Sequence, residues 1–168
     1  MTYYYTYYHH PFAGDLYLLA NEEQLVSISF GEDDFKKRRK KLNVTINKEH
    51  LVFTKIIPLL SAYLNGEVVD FPVVCILNGT EFQRLVWEEI SKIPRGETRT
   101  YSEIAAAIKR PLAVRAVGQA SRANPFPFII PCHRVVGKNG TLTGYAGSRI
   151  HIKELLLKGE QIGQRAFQ

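Results

Sequence analysis

The chain has only two cysteines in 168 residues and contains no long apolar run. Its N-terminus lacks the basic and apolar segments of a secretion signal, and no later stretch is apolar for long enough to cross a bilayer. Cys75 and Cys132 are too few for a disulfide framework. We therefore expect a soluble intracellular protein with free thiols and no membrane association.

The apolar fraction of 45% is what a packed globular protein needs. The length suits one generous domain or two small ones. Asn78-Gly79 marks a break, so we expect an N-terminal α/β domain over residues 1–76 and a C-terminal domain over residues 80–168.

Basic charge is concentrated in the second half. Residues 1–79 carry 8 Lys and Arg against 9 Asp and Glu, whereas residues 80–168 carry 14 against 7. This asymmetry favours a polyanion-binding face in the second half, although an ordinary solvated basic surface would give the same count.

The first half has the pattern of a small α/β layer. Residues 12–30 alternate apolar and polar side chains and predict a hairpin, and Val68 to Leu77 predicts a further strand. Between them, apolar residues from Leu51 to Leu64 recur at helical spacing and stop at Asn65-Gly66. Cys75 is expected to be an inert, buried strand residue.

Two features of this half invite a functional interpretation. The run Lys36 to Lys41 could contact phosphates or serve as a localisation signal, but it follows three acidic residues and we favour a solvated loop or helix face. His9-His10 could suggest zinc, yet no cysteine or third ligand lies near in sequence, so we predict no metal there.

The second half predicts a helix-turn-helix. Thr80 is a candidate N-cap for a helix over 81–91 with Phe82, Leu85, Val86 and Ile90 on one face. A short helix follows over 101–108, capped by Ser102, and another runs from Pro111 to Ala120, joined at Lys109-Arg110.

The second helix of this pair carries small residues around one long cation, Arg115. A major-groove reader would carry several long polar side chains. We therefore expect sequence-independent binding in the minor groove, which also argues against a transcription regulator. Tight packing between helices is the alternative explanation for the small residues.

Cys132 lies beside His133 in a proline-rich stretch of the basic half, residues 124–137. A lone cysteine is usually a small buried hydrophobe. An adjacent histidine and nearby cations, however, lower the pKa of a thiol and favour a nucleophile. Neighbouring side chains of an extended segment point apart, so a water or a turn must connect the pair. A cysteine hydrolase is an alternative, but we identify no oxyanion hole.

The segment Pro131-Cys132-His133-Arg134-Val135, here called the reactive segment, resembles the hallmark of the O6-alkylguanine-DNA alkyltransferases. The resemblance runs from about Gly96 to Glu160 and includes Arg-Ala-Val-Gly at 115–118, Asn-Pro at 124–125, Gly144-Tyr145 and Lys-Glu-Leu-Leu at 153–156. The first half matches only in its general βα character.

The resemblance implies an α/β (α+β) fold, in which a small ribonuclease H-like domain precedes a mainly helical domain with a winged-helix-like helix-turn-helix. It implies a methylated-DNA-[protein]-cysteine S-methyltransferase that acts on O6-alkylguanine and O4-alkylthymine in double-stranded DNA. The base is flipped from the minor-groove side and each molecule reacts once. No cofactor and no metal are expected, and the chain is expected to act as a monomer.

The family's functional residues carry over to matching positions. Cys132 corresponds to the alkyl acceptor, activated through water by His133, which Glu160 orients. Tyr101 corresponds to the tyrosine that helps to rotate the nucleotide and donates a proton to guanine, and Asn124 to a hinge before the reactive segment.

Further positions match the family's substrate and DNA contacts. Arg115 corresponds to the finger that fills the gap left by the flipped base. Tyr145 corresponds to a wall of the base pocket, and the Val135 carbonyl to a reader of the exocyclic amine. Ala146 replaces a common serine, but the contact there is a backbone amide, shared with Gly147. The small residues of the predicted second helix, Ala113, Val114, Ala116 and Gly118, are the expected DNA contacts, together with Arg122.

A non-enzymatic relative that only binds the lesion is a further alternative. Such proteins carry another residue, often tryptophan, at the reactive position. The presence of Cys132 argues against a protein that only binds the lesion.

Overall fold

The computed structural model describes residues 1–72, 77–143 and 149–165 of the chain. The chain divides into two compact units, Met1–Leu77 and Asn78–Gln168. Each unit combines its own secondary-structure elements and its own core.

The first unit is a four-stranded sheet with helices. Its strands are β1 (Tyr3–His10), β2 (Gly14–Ala20), β3 (Leu25–Phe30) and β4 (Val44–Ile46), and its helices are α1 (Gly31–Arg38) and α2 (Leu51–Leu64). The strand order is β3-β2-β1-β4, with β4 parallel to β1 and the other neighbours antiparallel.

The hairpin predicted over residues 12–30 is confirmed as β2 and β3. The Asn21 side chain accepts hydrogen bonds from the backbone amides of Glu23 and Gln24 and so closes its turn. Strand β1 was not predicted, because a run of tyrosines does not separate an apolar face from a polar one. Successive residues of β1 nevertheless point to opposite faces of the sheet.

The helix predicted between Leu51 and Leu64 is confirmed. The His50 side chain accepts a hydrogen bond from the backbone amide of Val52 at its start, and Gly66 adopts a φ of +92° just after its end. The apolar side chains of α2 form the core with the β2 and β3 residues on the same side, including Leu16, Leu18, Ile28, Phe53, Ile56 and Leu60.

The strand predicted from Val68 to Leu77 is not found over 68–72 or at Leu77, which have no regular secondary structure. The apolar pattern there is not matched by pairing with a neighbouring strand. Residues 73–76, with Cys75 among them, lie outside the described residues, so the prediction for this cysteine stays untested.

The basic run at 36–41 is a solvated helix face and turn, as we favoured. Lys36, Lys37 and Lys40 are exposed, and Lys36 pairs with Glu32 one turn earlier at 3.2 Å. His9 and His10 have separate partners: His9 hydrogen-bonds Asp15 at 2.8 Å, and His10 hydrogen-bonds Asn65 at 3.2 Å.

The second unit is mainly helical. Its elements are α3 (Glu81–Ser91), β5 (Arg99–Thr100), α4 (Tyr101–Ala107), α5 (Val114–Arg122), a 3-10 helix (Cys132–Arg134), β6 (Val135–Val136), a second 3-10 helix (Lys138–Gly140) and α6 (Ile150–Arg165). Across the described ranges, no helix has the length and apolarity needed to cross a membrane.

The predicted α3 and its Thr80 cap are confirmed. Thr80 and Gln83 form a reciprocal capping box. The buried face of α3 contains Val86, Ile90 and also Trp87, whose indole N–H donates to the Ala120 carbonyl at 2.8 Å. This bond fixes α3 against α5.

The helix-turn-helix is α4 and α5, but two predicted details are wrong. Thr100, not Ser102, caps α4, because its hydroxyl reaches the Glu103 amide while the Glu103 carboxylate accepts from the Thr100 amide. Helix α5 begins at Val114 rather than Pro111 and continues to Arg122. Lys109 adopts a φ of +62° in the intervening turn, which places 109–113 outside both helices.

We expect Thr100→Ala to lower the free energy of unfolding by about 1 kcal/mol, because it removes the N-cap of α4. Ser102→Ala, at an exposed position inside the same helix, should change it by less than about 0.5 kcal/mol. Urea unfolding of the two variants measures the difference. A larger loss in Ser102→Ala would contradict the cap assignment.

Candidate active site

The loop that leads to Cys132 is held by Asn124. This side chain is 4% exposed; its amide donates to the Ile130 carbonyl and its oxygen accepts from the Phe126 backbone amide, both at 2.9 Å. One amide side chain therefore bridges the two ends of the loop. Asn124 also follows α5 directly, which suits the expected hinge position between the helix-turn-helix and the reactive segment.

The reactive segment turns at the cysteine and is not extended there. Cys132 and His133 lie in a 3-10 helix, and the Cys132 amide donates to the Ile130 carbonyl at 2.7 Å. Of the two alternatives that we considered for the pair, a bridging water or a turn, a turn is present, because prolines and the Asn124 bridge impose it. Cys132 is 7% exposed and His133 is fully buried.

Glu160 joins His133 to Arg134. The His133 Nε2 lies 2.8 Å from Glu160 Oε1, and Arg134 donates from Nε and Nη2 to the same carboxylate at 2.8–3.2 Å. Arg134 also donates to the Ile93 carbonyl at 2.7 Å. The expected proximity of His133 and Glu160 is thus present in the structure, with Arg134 as a third member that sequence analysis did not assign.

This arrangement fixes the protonation of the histidine. Burial lowers the pKa of His133 below its usual value, even though the hydrogen bond and charge of Glu160 oppose that shift. Hydrogen bonds from His133 and Arg134 lower the pKa of the Glu160 carboxyl far below its usual range, despite the opposing effect of burial. At neutral pH a carboxylate only accepts hydrogen bonds, so the neutral imidazole carries its proton on Nε2 and its lone pair on Nδ1.

Lys153 is buried on the face of α6 that also carries Glu160, two helical turns earlier. The Lys153 ammonium donates to the carbonyls of Val135 and Thr143, the latter at 3.0 Å. Burial lowers the pKa of Lys153 to about 8, while a thiolate at Cys132 acts in the opposite direction. Sequence analysis missed this residue, although the seven-residue spacing to Glu160 among buried Ile152 and Leu156 was a signal of a polar inner face.

The parallel pair β5–β6 connects Tyr101 with the reactive segment. Arg99 pairs with Val135 and Thr100 with Val136, so Tyr101 begins α4 beside the strand that follows the 3-10 helix. The Tyr101 hydroxyl donates a long hydrogen bond to the Thr143 carbonyl at 3.4 Å. Burial is the main cause that raises the pKa of Tyr101, and a thiolate at Cys132 raises it further. Its hydroxyl therefore remains protonated at neutral pH.

One face of α5 lines an open cavity of about 650 Å³ together with Tyr101 and Thr143. The α5 residues are Val114, Arg115, Gly118, Gln119 and Arg122. Arg115 and Arg122 are exposed, whereas Ala113, Val114, Ala116 and Gly118 are partly exposed. The buried face of α5 consists instead of Val117, Ala120 and Ser121.

The small size of Gly118 is not required by packing within the unit. A Cβ atom built at Gly118 would meet only ring carbons of Tyr101, at 4.0 Å, which is an ordinary contact. Glycine inside a helix costs about 0.5–1 kcal/mol relative to alanine. An external surface that approaches α5 closely explains this glycine better than the helix-packing alternative.

Three expected substrate-site residues, Tyr145, Ala146 and Gly147, lie outside the described residues. Among the residues that are described, no group of three His, Cys, Asp or Glu side chains is arranged to hold a metal ion.

Known domain families match both halves of the chain. Residues 81–162 match the DNA binding domain of 6-O-methylguanine DNA methyltransferase, and residues 3–74 match the ribonuclease-like domain of the same protein. The resemblance that rested on the reactive segment is therefore confirmed and extends into the first half.

Individual methyltransferases are similar to this chain over most of its length. The constitutive methylated-DNA–protein-cysteine methyltransferase of Bacillus subtilis is 40% identical over 152 residues, covering 90% of this chain and 92% of the relative. The corresponding protein of Methanosarcina acetivorans is 46% identical over 150 residues, covering 88% and 92%.

Solved structures show the same fold. The O6-methylguanine methyltransferase of Mycobacterium tuberculosis superposes with a TM-score of 0.83 at 36% identity over 99% of both chains. A structure of the M. tuberculosis OGT in complex with DNA gives a TM-score of 0.81 at 37% identity, covering 97% of this chain and 94% of that one. The chain belongs to the 6-O-methylguanine DNA methyltransferase family.

Proposed function

We propose that the protein repairs DNA by transferring an alkyl group from O6-alkylguanine, and from O4-alkylthymine, to its own Cys132. The observation that carries this proposal is the family's reactive segment folded into a tight turn, with buried Cys132 next to a histidine that is hydrogen-bonded to Glu160. Each molecule reacts once, because the thioether product is a poor leaving group.

The nucleophile is activated through His133. Its neutral imidazole accepts the thiol proton of Cys132 by way of a water, and the resulting imidazolium is stabilised by Glu160. Glu160 is a positioning residue, since it acts on the sulfur only through His133. Arg134 holds the carboxylate in place from its other side.

The thiolate then displaces guanine at the alkyl carbon. The new bond is between Sγ of Cys132 and that carbon, and the bond to O6 of guanine breaks with its electrons retained by the base. Tyr101, which is protonated at neutral pH, donates a proton to the leaving guanine. The Val135 carbonyl has a second lone pair beside the one that accepts from Lys153, so it can also accept from the exocyclic amine. Tyr145, Ala146 and Gly147 complete the proposed base pocket.

Helix α5 is the proposed DNA-binding surface. Ala113, Val114, Ala116 and Gly118 permit close approach to the minor groove, and Arg122 contacts phosphate. Arg115 is exposed beside the cavity and enters the stack in place of the flipped base, whose extrusion costs a few kcal/mol.

The remaining proposals concern the chain as a whole. Residues 1–76 form an N-terminal α/β domain, and residues 80–168 form the DNA-binding and alkyl-acceptor domain. The protein acts as a monomer on double-stranded DNA without a cofactor, in the cytoplasm and associated with the nucleoid, or in the nucleus of a eukaryote.

Incubation with duplex DNA that carries labelled O6-methylguanine should place the label on the peptide that contains Cys132, with at most one equivalent per chain. Cys132→Ser should abolish transfer, because a serine hydroxyl is not appreciably ionised at neutral pH. Cys75→Ser is the matched control and should transfer normally. Label on another residue, or repeated turnover, would overturn the proposal.

Glu160→Gln should slow alkyl transfer on the order of 100-fold, and the acid limb of its pH–rate profile should move to lower pH. Without the carboxylate the imidazolium is less stable, so the pKa of His133 falls and the neutral base persists to lower pH. Pre-steady-state transfer rates across a pH series measure both effects. Glu154→Gln, on the exposed face of the same helix, is the matched control and should leave the profile unchanged.

Glu160→Gln should also lower the free energy of unfolding by about 3 kcal/mol at neutral pH, because a buried ion pair is broken. Since folding lowers the pKa of Glu160, this contribution is present above the unfolded value of about 4.3 and is lost as the pH falls below it. The stability difference between wild type and Glu160→Gln should therefore shrink in acid. A difference that is constant with pH would be inconsistent with an ionised Glu160.

Gly118→Ala should raise the free energy of unfolding by about 0.5–1 kcal/mol and weaken duplex DNA binding about tenfold, since an overpacked contact costs about 1–3 kcal/mol. Transfer from the free alkylated base should be unaffected. Gly159→Ala, where a Cβ would meet nothing within 4 Å, is the matched control and should stabilise the protein without weakening DNA binding. Unchanged DNA affinity in Gly118→Ala would argue against groove binding by α5.

A further inference from the structure

The first unit contains an aromatic cleft that the proposed reaction does not use. This cleft has a volume of about 300 Å³ and lies between the sheet and α1. Tyr5, Tyr7, Tyr17, Glu32, Phe35, Lys36, Arg39 and Val44 line it. A concave site of this size accommodates a small planar group.

The rings of the cleft form a continuous row. Tyr5 and Tyr17 pack against Phe35 with centroid distances of 4.9 and 5.1 Å, and Tyr17 lies 5.8 Å from Tyr7, its partner across β1 and β2. Phe35 is buried, but Tyr5 and Tyr17 are partly exposed and Tyr7 is 47% exposed. The row is therefore buried at Phe35 and accessible to solvent at Tyr7.

Cations surround this row. The Arg39 guanidinium lies 5.8 Å from the Phe35 ring centre, and the Lys48 ammonium lies 5.4 Å from that of Tyr7. Lys36 also lines the cleft, where it pairs with Glu32. Lys37, Lys40 and Lys41 are exposed on the adjacent part of the basic run. Acidic groups are also close, because Glu32 lines the cleft, and burial together with the charges of Glu32 and Asp15 raises the pKa of Tyr17. The cations outnumber these acidic groups, so the net charge around the cleft is complementary to a polyanion.

Core packing alone does not account for the aromatic row. The larger core of this unit lies on the opposite side of the sheet, where Tyr4 stacks on His50 and His10 contacts Asn65. Leu19 and Phe35 form a smaller buried layer on the side of the cleft. Tyr7 belongs to the other side because successive residues of β1 alternate in direction. It contributes an aromatic face to the surface rather than to that core.

We propose that the aromatic cleft binds single-stranded DNA, with an unpaired base stacked on Tyr7 and Tyr17 and the backbone phosphates near Arg39 and Lys48. Exposed rings on a sheet, flanked by cations, are the arrangement by which proteins bind unpaired bases without sequence preference. Paired bases of a duplex present no open ring face for this contact. The site is independent of Cys132, and the inference goes beyond the proposed repair reaction.

Photocrosslinking to the full chain tests this proposal. A short oligo(dT) carrying 5-iododeoxyuridine should crosslink to Tyr7 or Tyr17, as mapped by mass spectrometry of the peptides. Unlabelled oligo(dT) should compete with this crosslink more effectively than a duplex of the same length. Crosslinks confined to residues 101–143 would overturn the proposal.

Substitutions in the cleft distinguish the contribution of ring stacking from that of positive charge. Tyr7→Leu should lower the crosslink yield in the cleft on the order of tenfold, whereas Tyr7→Phe should preserve it because the ring remains. Lys48→Gln should lower the yield about threefold, as expected for one phosphate contact. Lys55→Gln removes the same charge from an exposed position on α2 and should have no effect.

Alkyl transfer from a short duplex distinguishes this inference from the repair function. Tyr7→Leu and Lys48→Gln should transfer at the wild-type rate, because neither residue belongs to the reactive site. Equal crosslink yields for Tyr7→Leu and wild type, or for Lys48→Gln and Lys55→Gln, would refute the single-strand site even if the chain repairs DNA normally.

Discussion

The buried carboxylate of Glu160 is the constraint on which the active site depends. Removing a carboxylate from water costs several kcal/mol, which only well-placed hydrogen bonds and opposite charge offset. Here the offset comes from His133 and Arg134, two consecutive residues after the cysteine. The hydrogen bonds to Glu160 therefore fix the reactive segment on α6, so the contacts that stabilise the fold also orient the imidazole of His133, the proposed base.

A second polar contact acts on the same segment from the same helix. Lys153 lies two turns before Glu160 and binds the carbonyls of Val135 and Thr143. Contacts from α6 thus hold the reactive segment at His133, at Arg134 and at Val135, where β6 begins. The short β5–β6 ladder then connects this segment to Tyr101. Backbone pairing and buried polar contacts position both Cys132, the proposed nucleophile, and Tyr101, the proposed proton donor. Such contacts deform less readily than a loop held by apolar packing.

The sequence predicted the helices well wherever apolar spacing and a polar cap coincided, as in α2 and α3. It located Cys132, His133 and Glu160 through the reactive segment and its resemblance to a family. It did not reveal β1, because tyrosine is compatible with both faces of a sheet. It misplaced the cap of α4, although the capping-box spacing from Thr100 to Glu103 is present in the sequence and Ser102 has no acidic partner three residues on. Lys153 was given no role, because the carbonyl groups that bind it cannot be identified from a sequence, although its seven-residue spacing to Glu160 was visible there.

The two units illustrate different uses of exposed surface. The side chains on α5 are small, and Gly118 destabilises the helix although packing within the unit does not require a glycine there. This surface therefore suits close contact with another molecule. On the sheet, side chains are large and aromatic, and cations lie around them. A smooth surface suits a continuous groove, whereas an open row of rings suits bases that have left their stack. The difference in side-chain size therefore argues that the two surfaces bind different forms of the same polymer.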